Sequence, residues 1–277
     1  MKVQEITLTS KLGRPFGIDI RSGSEDSSQP IILYVHGFKG FKDAMHQNEI
    51  ATNIASKGFA FVKMNLSHNG VTPEHPIDFV DLEAFGQNNF TKESDDIETV
   101  IDFILSSDFP LKCDKNKLYL IGHSRGGGIS LIKTADDRRI KKLVTWASVA
   151  DFVWRWDQNA LDYWRSEGTI YVENSRTNQQ MPLHYQIVED FYKQGDRYII
   201  DKRVKEIHVP TLCIHGTKDE TVPLDHQDQL KSSNPTFKTA VIEGAAHTFG
   251  GVTPWTDREL PDHTKQLIQI TVDFLHG

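Results

Sequence analysis

The chain has 277 residues, 38% hydrophobic and 25% charged, a balance ordinary for a globular protein of one large domain or two small ones. Its 31 basic residues against 38 acidic ones leave a net charge of −7, which argues against nucleic acid as the main partner. The opening "MKVQEITLTS" alternates apolar and polar residues without the apolar core of a secretory signal, and no run is long enough to cross a bilayer, so a cytoplasmic protein with no membrane partner is expected.

In chain order, residues 3 to 8 and 15 to 20 read as two strands turned at "LGRP", followed by a polar loop from Ser22 to Pro30. "IILYV" is a continuous apolar run, as in a strand buried on both faces. "KDAMHQNEIATNIASKG" has helical spacing at Met45, Ile50 and Ile54 and stops at Gly58. "FAFVKMNL" is the next strand, and a long loop rich in Pro, Gly, Asn and His runs from Ser67 to Phe90. Thr91 is the expected N-cap of an amphipathic helix carrying Ile97, Val100, Ile101, Ile104 and Leu105. Then come the strand "KLYLIG", the helix "GGGISLIKTA" and the strand "KKLVTWAS". After a gap follow the strand "PTLCIHG", the helix "DHQDQLKSS", the strand "KTAVIEG" and a closing helix from "LPDH" onward.

Strands alternating with helices imply parallel βαβ units in one sheet, an α/β fold over residues 1–277. The alternation lapses over 151–206, which is dense in aromatic residues and holds a hairpin near "TIYVENSRTNQQMPL". This segment reads as a cap inserted above the sheet. Cys113 and Cys213 read as reduced thiols, and the 12 histidines show no metal-ligand spacing, so neither a metal nor a cofactor is expected.

Between the strand "LYLIG" and the following helix stands Gly122-His123-Ser124-Arg125-Gly126, with Gly127 and Gly128 after it. Glycine within a helix costs roughly 1 kcal/mol relative to alanine, so a run of three needs a reason. Strand, sharp turn and helix around G-x-S-x-G form a nucleophile elbow. The serine sits on a strained turn with its hydroxyl clear of the sheet, and its neighbours must be small to avoid collision. A glycine-rich phosphate loop is the competing reading, but G-x-G-x-x-G and the Walker lysine are both lacking.

A serine hydroxyl needs a base, and the base needs an orienting carboxylate; in this architecture they follow in the order serine, acid, histidine. "LCIHGTKDETVP" places Asp219 and Glu220 just past a strand end. Asp219 is the chosen acid, Glu220 the near alternative and Asp151 the distant one. His226, His263 and His276 fall in or after helices, whereas His247 directly follows a strand in "EGAAHTFGG" and is the expected base. His123 should leave the backbone on the side opposite Ser124, which suits packing. Oxyanion donors are expected from the Arg125 N–H and from Phe38 N–H in "VHGFKGFKD".

Ser124, Asp219 and His247, with "HGF" and "GHSRGG", make the chain resemble the α/β-hydrolase family over nearly its whole length. "HGFKGF", "GHSRGGG", "IHGTKDETVP" and the insertion are most similar to bacterial dienelactone-hydrolase-like and feruloyl- or cinnamoyl-esterase-like proteins. Arg125 departs from the neutral residue more frequent there, and its cation either pairs with a structural carboxylate or reads a substrate acid. A serine replaces the cysteine nucleophile of true dienelactone hydrolases, which weakens the case for that activity. The resemblance implies a serine hydrolase of small carboxylic esters, short-chain or aryl. Among the aromatic residues of the insertion, Trp154 and Trp156 are the candidate pocket residues, flat rings that suit apolar or aromatic groups; the plainer reading is that such rings hold the cap onto the domain. A peptidase, an amidase or an acyltransferase with the same triad is the alternative, and a non-enzymatic binding protein is disfavoured by the intact triad. Oligomeric state is not legible.

Overall fold

The N-terminal alternation folds into an antiparallel pair, β1 (Lys2–Thr9) and β2 (Pro15–Ser22), in full register from Lys2–Ser22 to Thr9–Pro15. The computed structural model describes residues 1–24, 28–174, 177–257 and 259–277. Part of the polar loop before Pro30 and the tip of the cap hairpin therefore lie outside the described residues. The chain continues as β3 (Ile31–Val35), α1 (Gln47–Ala55), β4 (Ala60–Met64), α2 (Leu82–Gly86), α3 (Phe90–Leu105), β5 (Leu118–His123), α4 (Arg125–Asp136) and β6 (Ile140–Trp146). Next come α5 (Gln158–Glu167), β7 (Thr169–Asn174), β8 (Gln179–His184), α6 (Gln186–Lys193) and α7 (Ile200–Arg203). The last elements are β9 (Thr211–Gly216), α8 (Asp225–Ser233), β10 (Lys238–Ile242) and α9 (Asp262–His276).

The main sheet has the order β1-β2-β4-β3-β5-β6-β9-β10, with β1, β2 and β4 antiparallel to one another in turn and every later pair parallel. This is the α/β-hydrolase fold: a mostly parallel sheet flanked by helices. All residues of β3 and β5 are buried, as strands covered on both faces must be. Their alternation sends Ile31, Leu33, Val35, Leu118 and Leu120 into the core under α3 and α4, and Ile32, Tyr34 and Ile121 into the core under α1 and α9. Inside a parallel sheet every βα turn emerges at the same edge. The turns after β3, β5, β9 and β10 therefore meet there.

Three local expectations are corrected. Met45 is not part of α1; it has a φ of 55° two residues before the helix starts. The cap of α3 is Asn89, whose Oδ1 accepts from Lys92 N at 3.0 Å, because the helix already begins at Phe90, buried against Phe152. Thr91 instead donates its hydroxyl to Asp190 in the insertion at 2.8 Å. The long loop after Ser67 contains the short helix α2, capped by Asp81.

The hairpin expected in the insertion is present as the antiparallel pair β7–β8. It docks through Met181 onto Phe41, Phe79 and Phe85, a small apolar cluster separate from the two sheet cores. Gln179 donates to Phe79 O at 3.0 Å and Lys39 donates to Glu173 O at 2.9 Å, so the insertion is tied to both the α2 loop and the turn after β3. Among the described residues no helix is long and apolar enough to cross a membrane.

Candidate active site

Ser124 stands between β5 and α4 with φ 57° and ψ −123°, the strained turn expected of an elbow. The glycines around it are required by close approach. A Cβ on Gly126 would collide with the backbone carbonyls of His36 and Val35, and one on Gly37 would lie 2.9 Å from Ser124 Cβ. The elbow and the turn after β3 are thus pressed together backbone to backbone. Arg125 opens α4, so its N–H has no intrahelical acceptor. Among the described residues the Phe38 N–H makes no backbone hydrogen bond either.

Two devices shape the turn that carries Phe38. His36 is buried, and its Nε2 accepts from Leu66 N and from Asn69 Nδ2, each at 3.3 Å. Downstream, Lys42 N donates to Asn65 Oδ1 at 2.7 Å, and the fully buried Lys63 of β4 donates to Asp43 Oδ1 at 2.6 Å. Lys42 also pairs with Asp43. Burial pushes the Lys63 ammonium pKa down against the attraction of Asp19 and Asp43.

On the other side, β9 and β10 bring Asp219 and His247 together. His247 Nδ1 lies 2.7 Å from Asp219 Oδ2. Asp219 Oδ1 accepts from Thr221 N and Val222 N, both at 2.9 Å. Burial raises the Asp219 pKa, but hydrogen bonds from His215, His247 and Val222 N outweigh it and hold the carboxyl well below the usual range. Glu220 points to solvent. Asp151 instead closes its own turn by accepting from Val153 N at 2.9 Å.

Two histidines join this arrangement. His215 was not anticipated; its Nε2 sits 2.8 Å from Val222 O and 3.3 Å from Asp219 Oδ2. The signal was available, since "IHG" places it on β9 four residues before the acid. His123, expected to pack, does more: its Nε2 donates to His247 O at 2.9 Å, and the two rings lie 4.7 Å apart. Burial, then the neighbouring imidazole, pushes its pKa down to about 3, so it stays neutral beside His247.

Ser124 and His247 open onto one cavity of about 460 Å³. Its walls are the turn after β3 (Phe38, Phe41, Met45), Gln47 of α1, the loop from Thr248 to Thr253 and Asn174 of the cap hairpin. The two cap tryptophans expected here are placed elsewhere. Trp154 lies edge-on to His226 under the Arg155 guanidinium, and Trp156 packs against Trp164 and Phe191. The cause is the path of the chain after β6. Ala150 N donates to His226 Nδ1 and Arg155 donates to Thr221 O, so this segment docks beside α8. Only the later hairpin swings back to the cavity. The open choice for Arg125 is also settled: its Nη2 donates to buried Glu93 Oε1 at 2.5 Å. Among the described residues no group of three or more His, Cys, Asp or Glu is arranged to hold a metal.

A family model described as BD-FAE matches residues 18–233. A curated relative, the uncharacterized peptidase YuxL of Bacillus subtilis, is 22% identical over 212 residues; these span 74% of this chain and 28% of that protein. Among solved structures, Est1E from Butyrivibrio proteoclasticus superposes with a TM-score of 0.70 at 16% identity, covering 98% of this chain and 97% of Est1E. Est1E with ferulic acid bound gives 0.69 at 17% identity, covering 98% of each chain. The esterase domain of a Rhodothermus marinus protein gives 0.64 at 16% identity, covering 99% of this chain and 98% of that domain. At these identities the structural likeness speaks for the fold.

Proposed function

We propose that this chain, which belongs to the BD-FAE family and is a hydrolase of the α/β fold, cleaves carboxylic esters through a serine acyl-enzyme. The observation that carries the reading is His247, held 2.7 Å from Asp219, lining the same cavity as a serine at φ 57°. In the proposed reaction Ser124 Oγ attacks the ester carbonyl as His247 takes its proton. Asp219 holds the proton of His247 on Nδ1 and balances the imidazolium. The Phe38 and Arg125 N–H groups hold the oxyanion. His247 returns the proton to the leaving alcohol, and water then releases the acid by the same route. No cofactor takes part.

Small esters are the proposed substrates, short-chain or aryl, including hydroxycinnamate-type esters. A 460 Å³ cavity is within the range of small-molecule sites, roughly 300–1,000 Å³. Phe38 and Phe41 give it flat apolar walls, and the ferulic acid bound by Est1E supports the aryl class by likeness. YuxL's description as a peptidase favours a second reading, amide cleavage by the same residues. The proposed organisation is one domain over 1–277 with 151–206 as its cap, acting inside the cell.

A fluorophosphonate probe should label Ser124 and no other residue, and Ser124→Ala should lose both labelling and ester turnover while keeping its fold. Labelling of the variant at wild-type stoichiometry would disprove the nucleophile. An ester and its matched amide, assayed together, separate the two readings.

A further inference from the structure

Arg125 donates one proposed oxyanion N–H, yet its side chain reaches away to α3. Its Nη2 meets Glu93 Oε1 at 2.5 Å, and Asn88 Nδ2 donates to the same oxygen at 2.7 Å. The side chains of Arg125 and Glu93 are 15% and 3% exposed. Arg125 Nε and Glu93 Oε2 are both buried without a hydrogen-bond partner. The pair is therefore joined by one arm where a guanidinium and a carboxylate are able to join by two. The guanidinium is also flanked by aromatic rings. Its carbon lies 5.2 Å from the Phe38 ring centre and 4.9 Å from that of Phe90. Phe38 in turn meets Phe85 at 5.5 Å, the two rings tilted by 36°.

A buried ion pair with two orphaned polar atoms is a poor way to stabilise a fold; apolar replacement of such pairs is frequently neutral or stabilising. Its placement points to another role. The ring held by the guanidinium belongs to the residue supplying the other proposed oxyanion N–H. Arg125 touches, through one side chain and its own backbone, both halves of the hole.

We infer that the Arg125 side chain, anchored by Glu93, is a positioning clamp that fixes Phe38 relative to the elbow and so sets the spacing of the two oxyanion donors. This rests on the reading of the Phe38 and Arg125 amides as that hole. Phe38 is 37% exposed at the cavity wall; its ring meets the Arg125 guanidinium, Phe85 and, at 5.8 Å, the Lys39 ammonium, and of these three Arg125 is the one that belongs to the elbow. The clamp acts on the tetrahedral intermediate, whose oxygen needs both donors within about 2.7–3.1 Å, and hardly on the ground-state ester.

The test compares Arg125→Met, Glu93→Leu and the double variant. Each measurement set contains Tm, kcat and KM for p-nitrophenyl acetate, and Ki for a trifluoromethyl ketone, whose hemiketal oxyanion would occupy the hole. Each single variant leaves a buried charge unpaired and should lower Tm. The double variant should regain wild-type Tm while kcat stays about 10- to 100-fold down, with KM within about threefold and Ki weakened in step with kcat. Arg125→Lys keeps the ion pair but lacks the flat face. It should show the same split of kcat from KM, and it decides the matter if the double variant does not fold. Recovery of kcat along with Tm in the double variant, or wild-type kcat in Arg125→Lys, would overturn the clamp. A wild-type enzyme that neither labels at Ser124 nor turns over esters would defeat the ester-hydrolase reading instead.

Discussion

Replacing Asp219 with asparagine changes one oxygen to NH2 and leaves the shape of the site alone. The surroundings dictate which oxygen is lost. Oδ1 accepts two backbone N–H groups at 2.9 Å, and Oδ2 faces His247 Nδ1 at 2.7 Å. Turning the amide the other way would set an NH2 against two buried donors, at about 1–3 kcal/mol each. The asparagine oxygen therefore stays on the turn, and its NH2 points at His247. His247 Nδ1 must then accept, which leaves the ring proton on Nε2, the nitrogen that in the proposed reaction takes the proton of Ser124. The expected fall in kcat is about 10⁴-fold, the size found for the same change in serine-protease triads, or about 5 kcal/mol of barrier. KM should barely move. Stability should respond in a pH-dependent way. The folded carboxyl lies below its ordinary value of about 3.9, so its contribution is present above that pH and lost as pH falls through the lower folded value. Asp219→Asn should thus have a lower Tm than wild type at pH 7, with the gap closing in strong acid. Initial rates on p-nitrophenyl acetate and thermal melts from pH 2 to 8 provide the check. A kcat within tenfold of wild type, or an equal loss in Glu220→Gln, would refute the assignment.

Gly126→Ala should lower Tm by at least about 4 °C, because its Cβ meets two backbone carbonyls that cannot rotate aside; an unchanged melt would contradict the contact. Burial lifts Asp96 to about 7 despite the 2.7 Å bond from Ser67 N. The folded state therefore holds a proton that the unfolded chain has released between about pH 4 and 7, and stability falls as pH rises through that window. Asp96→Asn removes this loss, so its stability relative to wild type should grow by as much as about 4 kcal/mol from pH 4 to pH 8; a pH-independent difference in urea melts would rule it out. Trp154→Ala should leave the ranking of p-nitrophenyl esters from acetate to palmitate unchanged, since its ring faces His226; a shifted ranking would place it in the pocket after all.

Where the sequence was legible, one strong local signal governed each element. Continuous apolar runs marked β3 and β5, helical spacing marked α3 and α9, and the strand ends located Ser124, Asp219 and His247 ahead of the structure that brings them to one edge. The errors arise where contacts distant in sequence decide. Thr91 looks like a cap, but the packing of Phe90 on Phe152 starts the helix earlier. Trp154 and Trp156 carry the right chemistry for a pocket, yet the route of their backbone is set by His226 and Thr221, some seventy residues on. The partner of Arg125 had no local sign at all, because Glu93 stands on another helix. His215 was missed for a different reason: inside "TLCIHG" it reads as one more buried strand residue.

The loops carrying acid and base share their own contact. Gly216 has no room for a Cβ because the Ala245 carbonyl occupies that space, and Lys218 N donates to Ala245 O at 2.9 Å. Asp219 and His247 thus sit in one closely packed block, and the elbow with the turn after β3 forms another. His123 bolts the two together through His247 O. The insertion between β6 and β9 is tied to the second block by Lys39, and among its described residues it lines the cavity through Asn174 at the end of a hairpin. Cavity shape and reaction alignment are thereby coupled in the architecture, because Phe38, Phe41 and the loop from Thr248 to Thr253 belong to the same two blocks. An engineer reshaping the cavity would have Asn174 as a wall residue set apart from both blocks, and would otherwise have to alter the turn that carries Phe38.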